Sequence, residues 1–256
     1  MLSGPFRVGV RASSDILLER LAAVLDPVVE AEPEAPVNYS VRWGEGPKNK
    51  RSTGFHLLHR GSALVVRTRD PQRLLTGLIA HVDSHGHDYG DLLRVQGMAL
   101  VGEQGALVVP AILREYIANF ERRLNVRGVR IVDHPWAVVD WRTRELVVPE
   151  PTLPVDEGAI AEYLAAAPAG RDDPSVPPGR TPLIGWAFLG VGPHPSPAQA
   201  VAMGARLTAA DPGDSLQEGL DRLAHLFGGI SPFHLGWQED PAVFARPLLD
   251  MMAAAP

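Results

Sequence analysis

Between residues 81 and 89 the chain reads His81-Val82-Asp83-Ser84-His85-Gly86-His87-Asp88-Tyr89, its densest run of side chains able to hold a metal ion or move a proton. Imidazole nitrogens and carboxylate oxygens are donors that Zn²⁺ accepts, and His81, Asp83, His85 and His87 lie close enough in sequence to share one ion. A metal-dependent enzyme using these four residues is one expectation. A polar surface loop is the other.

His85-Gly86-His87-Asp88 resembles the start of the metal-binding run of metallo-β-lactamase-type hydrolases, but Tyr89 and Gly90 stand where that run has Asp and His. No Gly-x-Ser-x-Gly elbow is present. Ser196, between Pro195 and Pro197, reads as a helix cap or turn residue. His56 and His59 flank a hairpin and read as cross-strand surface residues, while His225 and His234 read as packing or surface positions. Trp136, Trp141, Trp186 and Trp237 read as core or rim aromatics, because no basic residues interleave with them as a base-stacking platform requires.

Composition narrows the chemistry further. There is no cysteine, which removes a thiol nucleophile, thiolate metal sites and a disulfide framework. The net charge is −6, and the densest basic stretch, Pro47-Lys48-Asn49-Lys50-Arg51, reads as a solvated turn, so nucleic acid is not an expected partner. No window approaches the ~18 uninterrupted apolar residues of a membrane helix. Met1 to Arg7 carries no apolar stretch of the kind that directs export, and the expectation is a cytoplasmic protein.

The elements that must position any site follow from periodicity. Phe6 to Val10 alternates as a strand, and Ser14-Asp15 caps a helix to Leu25 whose apolar face is Leu17, Leu18, Leu21 and Leu25. Strands are expected at Tyr39–Trp43, Phe55–Leu58 and Ala63–Arg67, then a helix from Asp70 to Val82 with Pro71 in its first turn. Val95–Val101 and Ala106–Val109 make two strands, the second apolar without a break and therefore buried on both faces. A helix from Ala111 to Val126 and strands at Val129–Val132, Trp136–Asp140 and Glu145–Val148 imply a crossover in a largely parallel sheet. Pro168 to Pro182 reads as a flexible excursion. Leu183–Leu189 reads as a further strand, and helices follow at Pro197–Thr208, Ser215–Phe227 and Pro241–Met252. The expected organisation is an N-terminal α/β lobe over 1–88 and a mixed-sheet α/β core flanked by helices over 89–256.

This order of elements resembles the HPr kinase family, whose fold is of the phosphoenolpyruvate carboxykinase type. Val95-Gln96-Gly97-Met98-Ala99 stands where that family has a His-bearing strand, and Gly105 to Pro110 where a strand enters the phosphate-binding loop. Gly128 to Asp133 stands where the next strand ends in acidic residues. Trp136 to Asp140 and Arg144 to Pro151 match the stretch containing Thr-Gly and Val-Pro-x-Pro. The resemblance also puts the 81–89 cluster in the connection between lobe and core, which favours the polar-loop reading.

What the resemblance implies about activity turns on the loop. Cradling a phosphate takes glycines that let successive N–H groups turn inward, a Lys on the β- and γ-phosphates, and a Ser or Thr on magnesium. Pro110 and the following Ala111, Ile112, Leu113 and Arg114 contain no glycine; Ile117 takes the place of the Lys, and Ala118 and Asn119 that of the hydroxyl residue. Gln96 replaces the strand histidine, and of the acidic pair only Asp133 remains, followed by His134. Arg114 or Asn119 could still meet an anion at the helix N-terminus, though a solvated first turn is the plainer reading. The expectation is a non-catalytic, kinase-like scaffold without a cofactor. It would bind a peptide or protein, with a homo- or hetero-dimer as one form, as an accessory in a peptide natural-product pathway of the ribosomal, post-translationally modified type.

Overall fold

The computed structural model describes residues 8–25, 37–44, 54–114, 117, 124, 127–168, 175–192, 194–209, 215–236 and 241–253. The chain divides into two compact units, one of residues 1–88 with 151–174, the other of 89–150 with 175–256. Both are α/β, each built on a mixed sheet. The expected lobe ended at 88 with everything after it in the core; residues 151–174 instead join the first unit.

In the first unit, β1 (Gly9–Ala12), β2 (Val37–Arg42), β3 (His56–Arg60) and β4 (Ala63–Thr68) lie side by side in chain order. β1 runs parallel to β2, and the other neighbours are antiparallel. Helices α1 (Asp15–Val24), α2 (Pro71–Asp83) and α3 (Glu157–Ala166) each begin on a side-chain cap. Ser14 Oγ accepts the N–H of Leu17, Asp70 that of Gln72, and Asp156 that of Ala159, satisfying donors that a helix start leaves open. Leu17, Leu21 and Val24, at helical spacing, enter the core, whereas Leu18, expected on that face, is exposed because one residue of helix turns it about 100° away. Tyr163 of α3 and Leu153 before it complete the core with Tyr39, Leu58, Leu74 and Leu78. That packing is the physical reason 151–174 belongs here. His56, expected at the surface, is 2% exposed and accepts the N–H of Gly44 on Nδ1 at 3.1 Å.

Among the described residues the second unit holds nine strands: β5 (Leu93–Val95), β6 (Gly97–Gly102), β7 (Gly105–Pro110), β8 (Arg130–Ile131), β9 (Ala137–Asp140), β10 (Glu145–Val148), β11 (Gly179–Leu189), β12 (Thr208–Ala209) and β13 (Ser231–Leu235). Their order is β12-β5-β9-β10-β11-β7-β6-β8, with β13 also paired to β11. β11 is parallel to β7 and β13, and every other adjacent pair is antiparallel, so the largely parallel sheet expected from the sequence is corrected. The crossover after β7 does return in parallel at β8, but β6 lies between them. Gln96 breaks what looked like one strand: β5 pairs with β9 and β12, whereas β6 pairs with β7 and β8. β11 begins at Gly179, inside the segment read as a flexible excursion.

The six residues of β7 are buried throughout. Ala106 and Val108 enter one core with Trp186, Phe188 and Phe227; Leu107 and Val109 enter another with Leu113, Phe233 and Leu248. An unbroken apolar run fits because successive side chains leave a strand on opposite faces, both covered. Helices α4 (Pro197–Ala205) and α5 (Leu216–Phe227) supply the first core and α6 (Pro241–Ala253) the second. α4 and α5 open with reciprocal caps, Ser196 with Gln199 and Ser215 with Glu218.

Candidate functional site

The last turn of α2 carries His81 and Asp83 inward. His81 is fully buried, edge-on to the Tyr39 ring at 5.6 Å. Its carbonyl accepts from the Tyr39 hydroxyl (3.2 Å) and the Ser84 hydroxyl (2.7 Å), and lies 3.0 Å from His85 Nδ1. Burial pushes the Tyr39 phenol up to about 12, against a lowering pull from Arg60. Asp83 Oδ1 accepts both the N–H (3.0 Å) and the hydroxyl (2.9 Å) of Thr152, and its Oδ2 is 3.4 Å from His87 Nδ1. His85 packs its ring edge-on to Tyr39. The four candidates fall into two pairs, His81 and His85 around the Tyr39 ring and Asp83 with His87, and among the described residues no group of three or more His, Asp or Glu side chains is placed to hold a metal ion. The reading of the whole run as a polar surface loop is corrected in part: His81, Asp83 and Ser84 are buried while His85 and Asp88 are exposed, and Asp83 ties α2 to the segment that leads into α3.

At the end of β7 the backbone turns through one short 3-10 turn, Ala111–Leu113, with no side-chain cap. Leu113 and Ile117 point into the core, at 0% and 1% exposure, while Ile112 is 74% exposed. Ala118 and Asn119 lie outside the described residues. Arg114, expected in a solvated turn, is buried and donates from Nη2 to the His134 carbonyl at 3.1 Å. The side chain that could have met an anion here is turned onto the chain's own backbone.

His134 is the centre of a buried network that the sequence reading did not see. Its Nδ1 is 2.8 Å from the Trp136 carbonyl, and its Nε2 is 3.3 Å from the Tyr89 hydroxyl. The Trp136 N–H also lies 3.2 Å from Nδ1, so the ring's tautomer selects whether Nδ1 donates to that carbonyl or accepts this N–H, with Nε2 taking the opposite role toward Tyr89. The two rings meet edge-on, and the Arg94 guanidinium stands 5.5 Å from the centre of the Tyr89 ring. Asp133 beside it is half-buried, and Gln96 is exposed at the bend between β5 and β6, its N–H donated to the Leu207 carbonyl. The Tyr89–His134 pairing joins residues 45 apart, beyond the reach of any local pattern.

The β9–β10 hairpin holds a third cluster. Asp140 Oδ1 accepts the N–H groups of Arg142 and Thr143, and Oδ2 pairs with Arg180 at 2.7 Å; Glu145 shares the same guanidinium at 3.1 Å. Burial pushes the Asp140 carboxyl up, but the hydrogen bonds from Arg180 and the two backbone N–H groups, with the Arg180 charge, hold it below the usual carboxylate range. Arg144 has a left-handed backbone, φ 59°. Its Nη2 donates to the His225 carbonyl in the last turn of α5, at 3.4 Å. Arg142 stacks over Trp141 and pairs with Asp91 at 2.7 Å. Arg180 matches Asp140 and Glu145, and Arg142 matches Asp91, which is the chemistry of a structural clasp. Comparison with protein-family models, with curated proteins and with solved structures returned no match.

Proposed function

We propose that this chain is a non-catalytic relative of the HPr kinase type that acts by binding a peptide or protein, as an accessory of a peptide natural-product pathway in the cytoplasm. One observation carries the reading. Where a phosphate-binding loop would offer glycine N–H groups and a lysine, Leu113 and Ile117 are core residues and Arg114 is bonded to the His134 carbonyl. A phosphate group placed there would displace packed apolar side chains and lack charged donors, a loss of several kcal/mol. A core kept without its nucleotide site is consistent with selection for a surface.

Thermal melting with and without ATP and magnesium tests this. A ligand at fifty times its dissociation constant stabilises by about 2 kcal/mol, enough to raise Tm by several degrees. We expect no shift. A reproducible rise overturns the reading.

A further inference from the structure

The small sheet of the first unit has one face that none of its described helices covers. Tyr39, Val41, Leu58 and Val66 point to the other face, where they pack with Leu17, Leu74, Leu78 and Tyr163 from the three helices. On the open face the register places Arg11 beside Ser40 and Ser40 beside His59; in the next row Arg42 stands beside Leu57 and Leu57 beside Arg67. β1 to β4 carry Arg11, Arg42, Arg60 and Arg67 and no Asp or Glu, in a chain of net charge −6. Arg11 and Arg42 are exposed. Arg11 reaches the Ser40 hydroxyl at 3.4 Å, and neither arginine is paired with a carboxylate among the described residues.

The edge of that sheet adds a second observation. Among the described residues β1 has β2 as its one neighbouring strand. The Gly9 N–H is taken by Asn38 Oδ1 and the Ser13 N–H by the Val41 carbonyl, both at 2.9 Å. Alternate residues of a parallel strand bond to the same neighbour, so the main-chain groups of Val10 and Ala12 face away from β2. On the far edge, Leu64, Val65, Arg67 and Thr68 of β4 have further partners. Among the described residues, the open edge and the arginines without a carboxylate therefore lie together, on the β1–β2 side.

We propose that β1 is the docking edge for an acidic peptide, which adds to the sheet as a further strand and sets alternate carboxylates against Arg11 and Arg42. Main-chain bonds supply affinity in this mode and alternate side chains supply selectivity. A nucleic acid suits the face less well. Phe55, just before β3, is covered by the guanidinium groups of Arg67 and Arg69 at 4.0 and 4.6 Å, while Tyr39 is buried in the core and Trp43 packs against it beside Tyr163, so none of these rings is presented for bases to stack on.

The proposal rests on the reading of this chain as a binding module. Its test titrates the full chain with a fluorescein-labelled peptide of about ten residues alternating Glu and Val, long enough to span an added strand. A version with Lys for Glu, a version N-methylated at alternate residues and a mixed-sequence single-stranded oligonucleotide accompany it, all read by fluorescence anisotropy. The expected result is binding of the acidic peptide, with at least about tenfold weaker binding of the Lys and N-methylated versions and of the acidic peptide to the R11E/R42E chain. Affinity should also fall as salt is raised, since exposed charges are screened. Unchanged melting of R11E/R42E shows that it is folded; if it melts early, R11Q/R42Q takes its place. Equal binding by the folded double variant, equal binding of the Lys peptide, or tighter binding of the oligonucleotide overturns the proposal. No binding of any probe, with Tm unmoved by ATP and magnesium, removes this surface and leaves the wider reading; a nucleotide-induced rise in Tm removes the wider reading itself.

Discussion

His56 is a buried imidazole that must stay neutral on Nδ1 to accept the N–H of Gly44. Burial holds its pKa below the ordinary histidine value, opposed by the charge of Asp70. A depressed histidine pKa means that the unfolded chain takes up a proton the folded chain refuses. The stabilisation is therefore complete above the unfolded pKa of about 6.5 and is lost as pH falls through the folded value. Thermal melts between about pH 7 and 5, above the carboxylate range, should show a decline that His56→Asn reduces, because the amide oxygen keeps an acceptor near Nδ1 without a proton to gain. An undiminished decline in the Asn variant would contradict this. Asp83 is the second decisive residue. Asp83→Ala strands the N–H and hydroxyl of Thr152 and should cost about 2–3 kcal/mol in urea unfolding, whereas Thr152→Ser, which keeps both donors, should cost less than about 1 kcal/mol. The sequence showed Asp83 as a possible ligand. It could not show that its partner lies 69 residues further on.

Among the elements, the β6–β7 hairpin and the turn that follows β7 show how much the backbone itself demands. Gly105 has φ 138°, and a Cβ there would collide with the Pro182 carbonyl on β11. Gly105→Ala therefore combines backbone strain with overpacking and should cost roughly 3 kcal/mol or more, read as a lowered denaturation midpoint. Arg144→Gly presents the opposite balance. It relieves a left-handed non-glycine residue, worth about 1 kcal/mol, but gives up a long bond to the α5 carbonyl and adds unfolded-state freedom, so its net effect should stay within about 1 kcal/mol. Beyond the turn that follows β7, Ile117→Lys tests the proposal that this position once held a phosphate-binding lysine. Its ammonium would enter the core beside Leu113 and Leu124, so we expect a loss of more than about 3 kcal/mol and no gain of ATP binding by calorimetry. The helix starts were readable beforehand, because Ser14, Asp70, Ser196 and Ser215 each sit where a side-chain oxygen can close an open N–H. The break at Gln96 was not, because Val95 to Val101 is apolar on both sides of it and only the choice of neighbouring strands divides it.

At the scale of the whole molecule, the first unit is discontinuous in sequence and incomplete until residues 151–174 have been made. Tyr163 is fully buried; its hydroxyl accepts from Trp43 Nε1 at 3.1 Å and donates to the Pro71 carbonyl at 3.3 Å. A fragment of residues 1–88 should therefore remain largely unfolded by circular dichroism, and Tyr163→Ala in the full chain should cost about 4 kcal/mol. Among the described residues no helix is long and apolar enough to cross a membrane. What the sequence determined by itself is local: the alternation of elements, the caps, and the need of Ala106–Val109 for cover on both faces, each set by neighbours within a few residues. The tertiary structure alone decided which strands stand together, that Arg114 is spent on His134, that Asp83 holds Thr152, and that Arg11 and Arg42 share an open face. Those outcomes depend on contacts between segments tens of residues apart, whose energies no short window of sequence contains.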